Sequence, residues 1–560
     1  YQPKQVEERI YDFWEKGGYF KPEVNPEGEP FCIIMPPPNA NGSLHLGHAV
    51  FVTLEDTMTR FARMQGKAAL WLPGADHAGF ETQVVFEKKL EKEGKSRFGM
   101  ERDELYKMMW DFTQSNKTFM EGQLRKLGAS CDWDREKFTL DEDIKKNVYK
   151  TFKKLYDDGL VYRAKRSVNW CTKHQTTLSD LEIKYIEKKD PLYYIKYGPL
   201  VLATVRPETK FGDTALAVNP KDPRYQQYVG KEIEIETVLG KAKIKVIADD
   251  YVDPKFGTGV VKITPAHDPN DFEVAMRHGL EIREVIDQYG KLNEKTGPYA
   301  GMKIDEARAK VVEDMQKKGL IEKIDENYVH TVATCYKCAR TIEPRVLEQW
   351  YVAMTKRGEK SGKALAPDAL KAVKDGKTKF IPSRFVKIFN HWLNNIRDWN
   401  ISRQIVWGIQ IPAWYCEECE GEPIVEDAKP EKCPRCGGKL RQETDVFDTW
   451  FSSGQWPVVT LQTLDQKNGT KDFEKFYPTS VMETAADILF FWVARMIMFG
   501  LYLTDEVPFK DVYLHGLVRD KDRQKMSKSK GNVIDPLGVA EEYGTDAARM
   551  ALVFGTSAGN

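Results

Sequence analysis

The sequence predicts an α/β fold in which a Rossmann-type parallel sheet is split by an inserted β-rich domain. Three observations predict it. A short apolar run, a helical pattern and a second apolar run follow one another near the N-terminus. Polar and apolar residues alternate with period two after about residue 190, and α/β patterns return after about residue 350. Helical and strand patterns in this order are typical of a parallel sheet with a separate insertion.

The first half of the sheet is predicted from a βαβ unit. An amphipathic helix is predicted over Val6–Glu15. Two apolar runs, Cys32–Met35 and Ala68–Leu72, are each followed by proline, and the helical pattern Leu46–Met64 lies between them. A strand, a helix and a strand at this spacing imply a parallel pair of strands.

The inserted domain is predicted from a hairpin. Lys231–Glu236 and Lys243–Ile247 alternate apolar and charged residues on either side of a Leu-Gly-Lys turn. Alternation with period two across a short turn indicates two antiparallel strands. A helical pattern then follows over Glu306–Lys318. We therefore predict an inserted α+β domain over residues 193–330.

The second half of the sheet is predicted from two strand-like runs, Ser480–Glu483 and Val512–Leu514. Between them, Ile488–Leu503 is apolar but contains Arg495 and is short for a membrane span, so we predict a buried core helix. The predicted organisation comprises, in chain order, the first half of the sheet with the start of a connector (1–192), the inserted domain (193–330), a returning connector (331–350), the second half (351–535) and the start of a helical stem (536–560).

Composition narrows the class of protein. Lys+Arg and Asp+Glu both number 84, so the net charge is zero. This excludes a globally basic nucleic-acid coat, although it allows a local basic groove. The N-terminal residues contain no apolar signal core, and we expect a cytoplasmic protein with no membrane partner. Cysteines in that compartment are expected as metal ligands or buried thiols before disulfides.

Four cysteines predict a zinc ribbon inserted in the second half, at about residues 414–440. Cys416 and Cys419 form one C-x2-C pair, and Cys433 and Cys436 form another. Two such pairs at this separation are typical of a tetrahedral four-thiolate zinc site. No position in it is left for a substrate, so we interpret the site as structural.

A second zinc site is predicted where the chain enters and leaves the insertion. Cys335 and Cys338 form a lone C-x2-C pair, and Cys171 with His174 precedes the insertion. Thiolate and imidazole are both normal zinc ligands. Three cysteines and one histidine could therefore hold one ion between the two connecting segments.

Two further motifs indicate a polyphosphate site. His45-Leu46-Gly47-His48 stands where a predicted strand meets a predicted helix, whose N-terminus attracts anions. Imidazoles there can donate hydrogen bonds to phosphate oxygens, and Gly47 allows close approach. Far downstream, Lys525 and Lys528 lie in the stretch KMSKSKGN. A loop that places ammonium groups on a polyphosphate is one interpretation, and a solvated basic loop is the other.

The two motifs together resemble the paired pattern of class I aminoacyl-tRNA synthetases, the valyl-tRNA synthetase family in particular. The resemblance runs from Tyr1 to Asn560 and ends before the helical anticodon-binding region of that family, which we expect this chain to lack. Its other matches are PPPN (36–39), GADHAG (74–79), VNWC (168–171), RPET (206–209), FGTGVVKITPAHDPND (256–271), ISRQ (401–404), IPAWYC (411–416), DTWFSS (448–453) and HGLVRD (515–520).

The resemblance implies a monomer that activates valine with ATP and Mg²⁺ and transfers it to tRNA(Val). The residues that it implies for transition-state stabilisation are His45, His48, Lys525 and Lys528. Those implied for ATP binding are Gly47, Glu483, Asp487, His515, Gly516, Val518, Lys525, Ser527 and Lys528. Those implied for amino-acid binding are Asn39, Asp76, Trp450 and Ile488, of which Asp76 would pair with the valine ammonium.

The resemblance also implies an editing site in the inserted domain. A pocket for valine rejects the nearly isosteric threonine poorly, and this pair of amino acids is itself a standard example of that limit. The implied editing residues are Arg206, Thr209, Lys262, Thr264, Asp268, Asp271 and Glu273. Asp268 would hold the substrate ammonium, and Asp271 would accept a hydrogen bond from the threonine hydroxyl. The alternative for this pair of carboxylates is a turn in which they cap a helix.

Two other functions remain open at this point. A synthetase for isoleucine would have the same fold and a roomier pocket. A non-catalytic tRNA- or nucleotide-binding relative is suggested by Ala485, which stands where the family commonly has a glycine near the ribose. Amino-acid-dependent pyrophosphate exchange distinguishes these alternatives.

Overall fold

The computed structural model describes residues 2–520, 522–524 and 534–556. The chain forms two compact units. The first consists of Tyr1–Tyr162 and Trp350–Asn560, and the second is the continuous segment Arg163–Gln349. The second unit therefore contains the predicted insertion, 193–330, together with residues that the sequence assigned to connectors on either side.

The first unit begins with helices and strands that precede the insertion. In chain order these are α1 (Pro3–Lys16), β1 (Pro30–Ile34), α2 (Leu46–Met64), β2 (Ala68–Leu72), β3 (Gly74–Ala75), α3 (Gly79–Lys92), α4 (Arg102–Lys126), β4 (Lys137–Phe138) and α5 (Glu142–Asp157).

The second unit is mainly β-structure, and the first and last of its strands extend across its boundaries. Its elements are β5 (Val161–Cys171), β6 (Thr176–Leu178), β7 (Ile183–Lys189), β8 (Leu192–Tyr197), β9 (Leu200–Thr204), β10 (Ala215–Val218), β11 (Glu232–Thr237), β12 (Gly240–Ala248), β13 (Val260–Ile263), α6 (Pro269–His278), α7 (Ile304–Lys317), β14 (Ile321–Asp325), β15 (Val329–Cys335) and β16 (Glu343–Val352).

The chain then returns to the first unit. The elements there are α8 (Leu365–Lys374), β17 (Lys379–Ile381), α9 (Phe385–Asn394), β18 (Trp399–Asn400), β19 (Ser402–Arg403), β20 (Ala413–Cys416), β21 (Ile424–Val425), β22 (Leu440–Gln442), β23 (Val446–Phe447), α10 (Thr449–Ser453), α11 (Trp456–Asn468), α12 (Asp472–Phe476), β24 (Thr479–Ala485), α13 (Ala494–Thr504), β25 (Phe509–His515), α14 (Pro536–Tyr543) and α15 (Thr545–Gly555).

The central sheet of the first unit confirms the predicted fold class. Its strand order is β17-β25-β24-β1-β2, and adjacent strands are parallel. Two of these strands precede the insertion and three follow it. The chain moves outward in one direction from β1 to β2 and in the other from β24 to β25. The order therefore reverses between β1 and β24, and such a switch point is where open α/β sheets bind ligands, at the carboxyl ends of the strands.

The buried character of the sheet explains why its strands show no alternation in the sequence. Every residue of β2 is buried, and Trp71 is fully so. In β1, Cys32, Ile33 and Ile34 are buried in succession. Strands covered on both faces are apolar at consecutive positions, and their ends are set by the turn residues that flank them.

The predicted hairpin of the second unit is confirmed as β11 and β12, which pair antiparallel. Ile233 faces Ile244 across the pair, and both are buried, whereas Glu232 and Glu234 are exposed. One face of the hairpin therefore packs on a core and the other meets solvent, which produces the alternation in the sequence.

The apolar segment Ala486–Thr504 is long and apolar enough to cross a membrane by length and composition alone, but 61% of it is buried within the protein. The Arg495 guanidinium stacks over the Trp399 ring at 3.8 Å. These contacts support the predicted core helix. The structure differs in detail, because the segment opens with a 3-10 turn and a π turn (Leu489–Val493) before α13. Single π turns in helices are frequent near functional sites.

Candidate functional site

The two histidines of the first motif cap helix α2. His45 is the N-cap residue, and its Nδ1 accepts a hydrogen bond from the Gly47 amide at 3.1 Å. His48 Nδ1 accepts one from the His45 amide at 3.0 Å, and the two ring centroids lie 3.9 Å apart. Because both Nδ1 atoms accept, the proton of each neutral ring is on Nε2. Two imidazole N–H donors therefore stand at a helix N-terminus, an arrangement suited to phosphate oxygens.

Gly47 leaves room for the His45 ring. A Cβ built on Gly47 would lie 2.9 Å from the His45 ring carbon Cε1, closer than real Cβ contacts allow. A larger residue would displace the ring that caps the helix. The sequence assigned this glycine to the approach of a nucleotide, and the structure gives it a second reason.

The residues predicted for adenosine lie at the carboxyl edge of the sheet, at the ends of β24 and β25. Ala485 stands opposite His515 in the register of these strands. The fully buried Glu483 side chain is hydrogen-bonded through Oε1 to His515 Nδ1. Asp487 follows β24 in an exposed turn.

Gly516 and Val518 follow β25 and are half-buried. The structure thus brings most of the predicted nucleotide residues to the same edge of the sheet as His45, since α2 starts after β1. Lys525, Ser527 and Lys528 lie outside the described residues.

Asp76 is the centre of a buried polar pocket in the first unit. Its Oδ1 accepts hydrogen bonds from the Ala78 amide at 2.9 Å and from the Thr139 hydroxyl at 3.1 Å. Its Oδ2 accepts one from the Ser453 hydroxyl at 2.9 Å. Burial acts to raise the pKa of Asp76, but His77 and these donors outweigh it and hold the pKa below its usual value. Asp76 is therefore a buried carboxylate, suited to an ammonium ligand.

Two of the other predicted amino-acid-binding residues adjoin Asp76. Asn39 pairs with it through the backbone. Trp450 follows Thr449, whose hydroxyl donates to Asp76 Oδ1 at 3.2 Å. The half-buried Trp450 ring lies 5.3 Å from the Phe491 ring. Ile488 is half-buried in the 3-10 turn before the π turn that contains Phe491.

Sequence reasoning missed the hydroxyl donors of this pocket. Thr139 is far from Asp76 along the chain, and no local signal connects them. Thr449 and Ser453 belong to the DTWFSS match and are four residues apart on α10. That spacing places two hydroxyls on one helix face and is the signal that could have identified them.

The second unit contains a separate buried polar cluster. Lys262 Nζ donates to Thr209 Oγ1 at 2.9 Å, to Asp213 Oδ1 at 3.3 Å and to Thr264 Oγ1. The Thr264 amide donates to Asp271 Oδ2 at 2.8 Å. Four of the seven predicted editing residues are thus in one hydrogen-bonded group. Asp213, the shared acceptor, was not predicted.

Asp271 differs from its neighbour Asp268. Burial, and then the charge of Asp268, raise the pKa of Asp271 to about 7, against the opposing effect of Lys262. Asp268 Oδ1 instead accepts from the Asn270 and Asp271 amides at 2.8 Å and 3.1 Å and caps α6. The capping alternative therefore describes one oxygen of Asp268, whereas the Asp271 carboxyl belongs to the buried cluster. A carboxyl that titrates near neutrality beside a lysine is typical of functional sites.

The side chains of the remaining two predicted editing residues, Arg206 and Glu273, make no hydrogen bond to the Lys262 cluster. Arg206 donates to Glu343 at 2.7 Å, to Glu208 at 3.1 Å and to the His267 carbonyl at 3.1 Å. Its guanidinium is thus held by buried acids next to Thr209. Glu273 is exposed on α6, and its side chain has no hydrogen bond or ion pair with any residue that the structure describes.

Both predicted metal-ligand sets are assembled. In each set the ligand atoms lie within 4.8 Å of one another. In the ribbon, Cys416 Sγ lies 3.4 Å from Cys436 Sγ, and Cys419 Sγ lies 3.7 Å from Cys433 Sγ.

In the second set, Cys171 Sγ lies 3.6 Å from Cys338 Sγ, and His174 and Cys335 complete the group. A disulfide would require about 2.05 Å, whereas a tetrahedral ion with bonds of about 2.3 Å to sulfur separates two thiolates by about 3.8 Å. The observed distances fit a shared ion, so each group could hold a metal.

Comparisons with known proteins identify the family of the chain. The family model described as tRNA synthetases class I (I, L, M and V) matches residues 9–560. The valine–tRNA ligase of Clostridium acetobutylicum is 50% identical to the chain over 100% of its length and 63% of that relative's length. The corresponding protein of Pseudothermotoga lettingae is 47% identical, over 100% of the chain and 64% of that relative. The chain therefore spans less than two thirds of these curated relatives.

A solved structure has the same fold. It is the agnB2 LeuRS of Agrobacterium radiobacter K84 in a ternary complex with tRNA and LeuAMS. The chain superposes on it with a TM-score of 0.55 at 19% identity, and the match covers 100% of the chain and 73% of that structure.

Proposed function

The chain belongs to the family of class I tRNA synthetases for isoleucine, leucine, methionine and valine, and from this membership we propose that it activates valine with ATP, transfers it to tRNA(Val) and hydrolyses threonyl products. One observation carries the proposal. The buried Asp76 carboxylate lies in the same unit as a paired-imidazole helix cap at the switch point of a parallel sheet. Relatives about half identical over the whole chain are valine–tRNA ligases, which favours valine over the other amino acids of the family.

The activation step needs little acid or base catalysis. The valine carboxylate attacks the α-phosphorus of ATP, and pyrophosphate leaves. Positioning and neutralisation of phosphate charge are therefore the main sources of rate. Asp76 would fix the valine ammonium, and the Nε2–H donors of His45 and His48 would stabilise charge on the phosphates. ATP is expected to bring Mg²⁺, as in other phosphoryl-transfer sites.

The editing step is proposed for the Lys262 cluster of the second unit. Asp271 would accept a hydrogen bond from the hydroxyl of a threonyl group, which a valyl group lacks. Rejection of valine then follows, because a buried carboxylate would be left without that partner.

ATP–pyrophosphate exchange with valine, threonine and isoleucine tests the proposed function. Exchange should be strongest with valine, weaker with threonine and small with isoleucine. Faster exchange with isoleucine than with valine would favour the isoleucine-type alternative. ATP binding with no exchange for any amino acid would favour the non-catalytic relative.

We also propose that both cysteine groups bind structural zinc. The ribbon offers four thiolates, and the second group offers three thiolates and one imidazole, which are ligand sets that zinc prefers. Neither group leaves a position for a substrate when all four residues coordinate.

Zinc analysis of the purified chain should give about two ions per molecule. Cys419→Ser with Cys433→Ser should lower this to about one, because two thiolates are too few to retain the ion in the ribbon. Elemental analysis by plasma mass spectrometry measures the stoichiometry. Cys131→Ala, which changes a buried cysteine outside both groups, is the matched control and should keep both ions. Unchanged zinc in the double variant would contradict the assignment of the ribbon.

A further inference from the structure

His77 is a buried histidine that directly follows Asp76, and only 1% of its surface is exposed. Its Nδ1 lies 2.7 Å from Thr139 Oγ1 and 3.2 Å from Asp76 Oδ1. Its backbone amide donates to the same Thr139 hydroxyl at 2.9 Å. The ring packs edge to face against Trp407, whose indole N–H donates to the His77 carbonyl at 2.9 Å. His77 is therefore held in place beside Asp76 and beside a residue that binds Asp76.

The Thr139 hydroxyl decides which ring nitrogen of His77 carries the proton. A hydroxyl has one proton to donate and two lone pairs with which to accept. The Asp76 carboxylate only accepts, so the Thr139 proton goes to Asp76 Oδ1, at 3.1 Å. Thr139 must then accept from both the amide and the ring of His77. The ring can donate to it only when the proton is on Nδ1.

The other ring nitrogen supports the same assignment. His77 Nε2 is buried and has no hydrogen-bond partner among the residues that the structure describes. A proton on Nε2 would be a buried N–H without an acceptor, and in the neutral ring it would also remove the donor at Nδ1. With the proton on Nδ1, only a lone pair is left without a partner. This tautomer is the opposite of the one assigned to His45 and His48.

These donors hold the two oxygens of Asp76 unequally. The four donors within 3.2 Å of Oδ1 are the Ala78 amide, the Thr139 hydroxyl, the Thr449 hydroxyl and His77 Nδ1. Oδ2 has one donor that close among the described residues, the Ser453 hydroxyl at 2.9 Å, and Thr449 lies 3.5 Å away. A carboxylate oxygen can accept two hydrogen bonds, so Oδ2 is the oxygen with capacity for an ammonium N–H.

We propose that His77 is a positioning residue of the amino-acid site, which donates through Nδ1 to hold Thr139 and Asp76 Oδ1 and so keeps Asp76 Oδ2 available to the substrate ammonium. The proposal rests on the proposed function, in which Asp76 binds valine. His77 acts through Asp76 and Thr139, and no contact of its own with valine is required.

The consequence of losing the Nδ1–H donor is confined to valine. Asp76 Oδ1 would lose that donor directly. The Thr139 hydroxyl would lose the partner that fixes its orientation, so its proton would no longer be directed at Asp76. The carboxylate could then turn, and its fit to the ammonium would weaken. The residues proposed for ATP belong to other elements, namely α2, β24 and β25, so ATP binding should not change.

Two substitutions separate this role from a purely structural one. His77→Asn places an amide N–H near the position of Nδ1, so the KM for valine should stay within about threefold of the original. His77→Phe keeps a ring against Trp407 but has no donor, and it should raise the KM for valine about tenfold with the KM for ATP unchanged. Valine-dependent pyrophosphate exchange measures both constants, and the Tm is recorded for each variant.

His330→Phe is the matched control. His330 Nε2 lies 2.9 Å from Asp190 Oδ2 in the second unit, so this variant also removes an imidazole from an aspartate. It should leave the KM for valine and the KM for ATP unchanged.

The contradicting results are distinct from failure of the proposed function. If the unmodified chain shows no valine-dependent exchange, the proposed function itself fails. If exchange occurs and His77→Phe leaves the KM for valine unchanged, the proposal about His77 is wrong. Equal rises in His77→Asn and His77→Phe would show that the Nδ1 donor is not the cause. Equal rises in the KM for valine and the KM for ATP would show a purely structural role, and both results would overturn the proposal.

Nitrogen-15 NMR of the histidine rings measures the tautomer directly and does not depend on the phenylalanine variant folding. Two-bond proton–nitrogen correlations distinguish a neutral ring protonated on Nδ1 from one protonated on Nε2. The ring signals that disappear in His77→Asn should be those of an Nδ1–H ring, whereas those that disappear in His45→Asn should be those of an Nε2–H ring. A His77 ring protonated on Nε2, alone or together with Nδ1, would overturn the proposal.

Discussion

Replacement of His45 or His48 by asparagine is expected to lower kcat for valine-dependent exchange about 10²-fold, with little change in the KM for ATP. Each imidazole can donate through Nε2, because its Nδ1 accepts a hydrogen bond from a backbone amide at the start of α2, the Gly47 amide for His45 and the His45 amide for His48. Such donors act where charge develops, so they contribute more to the transition state than to bound ATP. Asparagine retains a side-chain acceptor at the helix start, so α2 should keep its cap.

Steady-state exchange kinetics check this expectation, with circular dichroism to verify the fold. The matched control is His391→Asn, an exposed histidine of α9 in the same unit, which should leave kcat unchanged. A rise in the KM for ATP at constant kcat would mean that the imidazoles bind the ground state alone. Unchanged kinetics in both variants would remove them from the proposed mechanism.

Asp271→Ala is expected to slow hydrolysis of threonyl-tRNA(Val) about 10²-fold, because a charged hydrogen bond to the threonine hydroxyl is lost. Valine-dependent exchange should be unaffected, so threonyl-tRNA would accumulate while valine activation continues. Hydrolysis of preformed threonyl-tRNA measures the effect. Glu322→Ala, which removes an exposed carboxylate from the same unit, is the matched control. Hydrolysis by Asp271→Ala at the unmutated rate would show that this cluster is not the editing site.

The pH dependence of hydrolysis gives an independent check on Asp271. Burial and the charge of Asp268 raise the pKa of Asp271 to about 7. The ionised carboxylate is the better acceptor for a hydroxyl and is present above that pH. Hydrolysis of threonyl-tRNA should therefore rise with pH through about 7, and Asp271→Asn should abolish that inflection. A rise that persists in Asp271→Asn would assign the titration to another group.

The sequence predicted the sheet well where local chemistry sets its elements. Helix α2 begins and ends as predicted, because a histidine N-cap precedes Leu46 and the pattern ends at Met64. Strand β2 also has its predicted bounds, since it is a buried apolar run between Gly66 and Pro73. Motif pairs such as the ribbon cysteines are equally local. Their short spacing was enough to predict an assembled ligand set.

The residues that sequence analysis missed depend on contacts between distant parts of the chain. Thr139 and Ser453 reach Asp76 from elements far apart in sequence. Asp213 joins Lys262 in a cluster that only the folded second unit assembles. Glu55 is of a residue type that is usually exposed on an amphipathic helix, yet it is fully buried. Burial and tertiary hydrogen bonds, which no local pattern encodes, decide these cases.

A crystal structure of the chain with a non-hydrolysable valyl-adenylate analogue tests the central claim most directly. We predict the valine ammonium within hydrogen-bonding distance of Asp76, the phosphate against His45 and His48 Nε2, and the adenosine at the ends of β24 and β25. An analogue bound away from that edge, with Asp76 contacting only its protein partners, would contradict the proposed site and the activity derived from it.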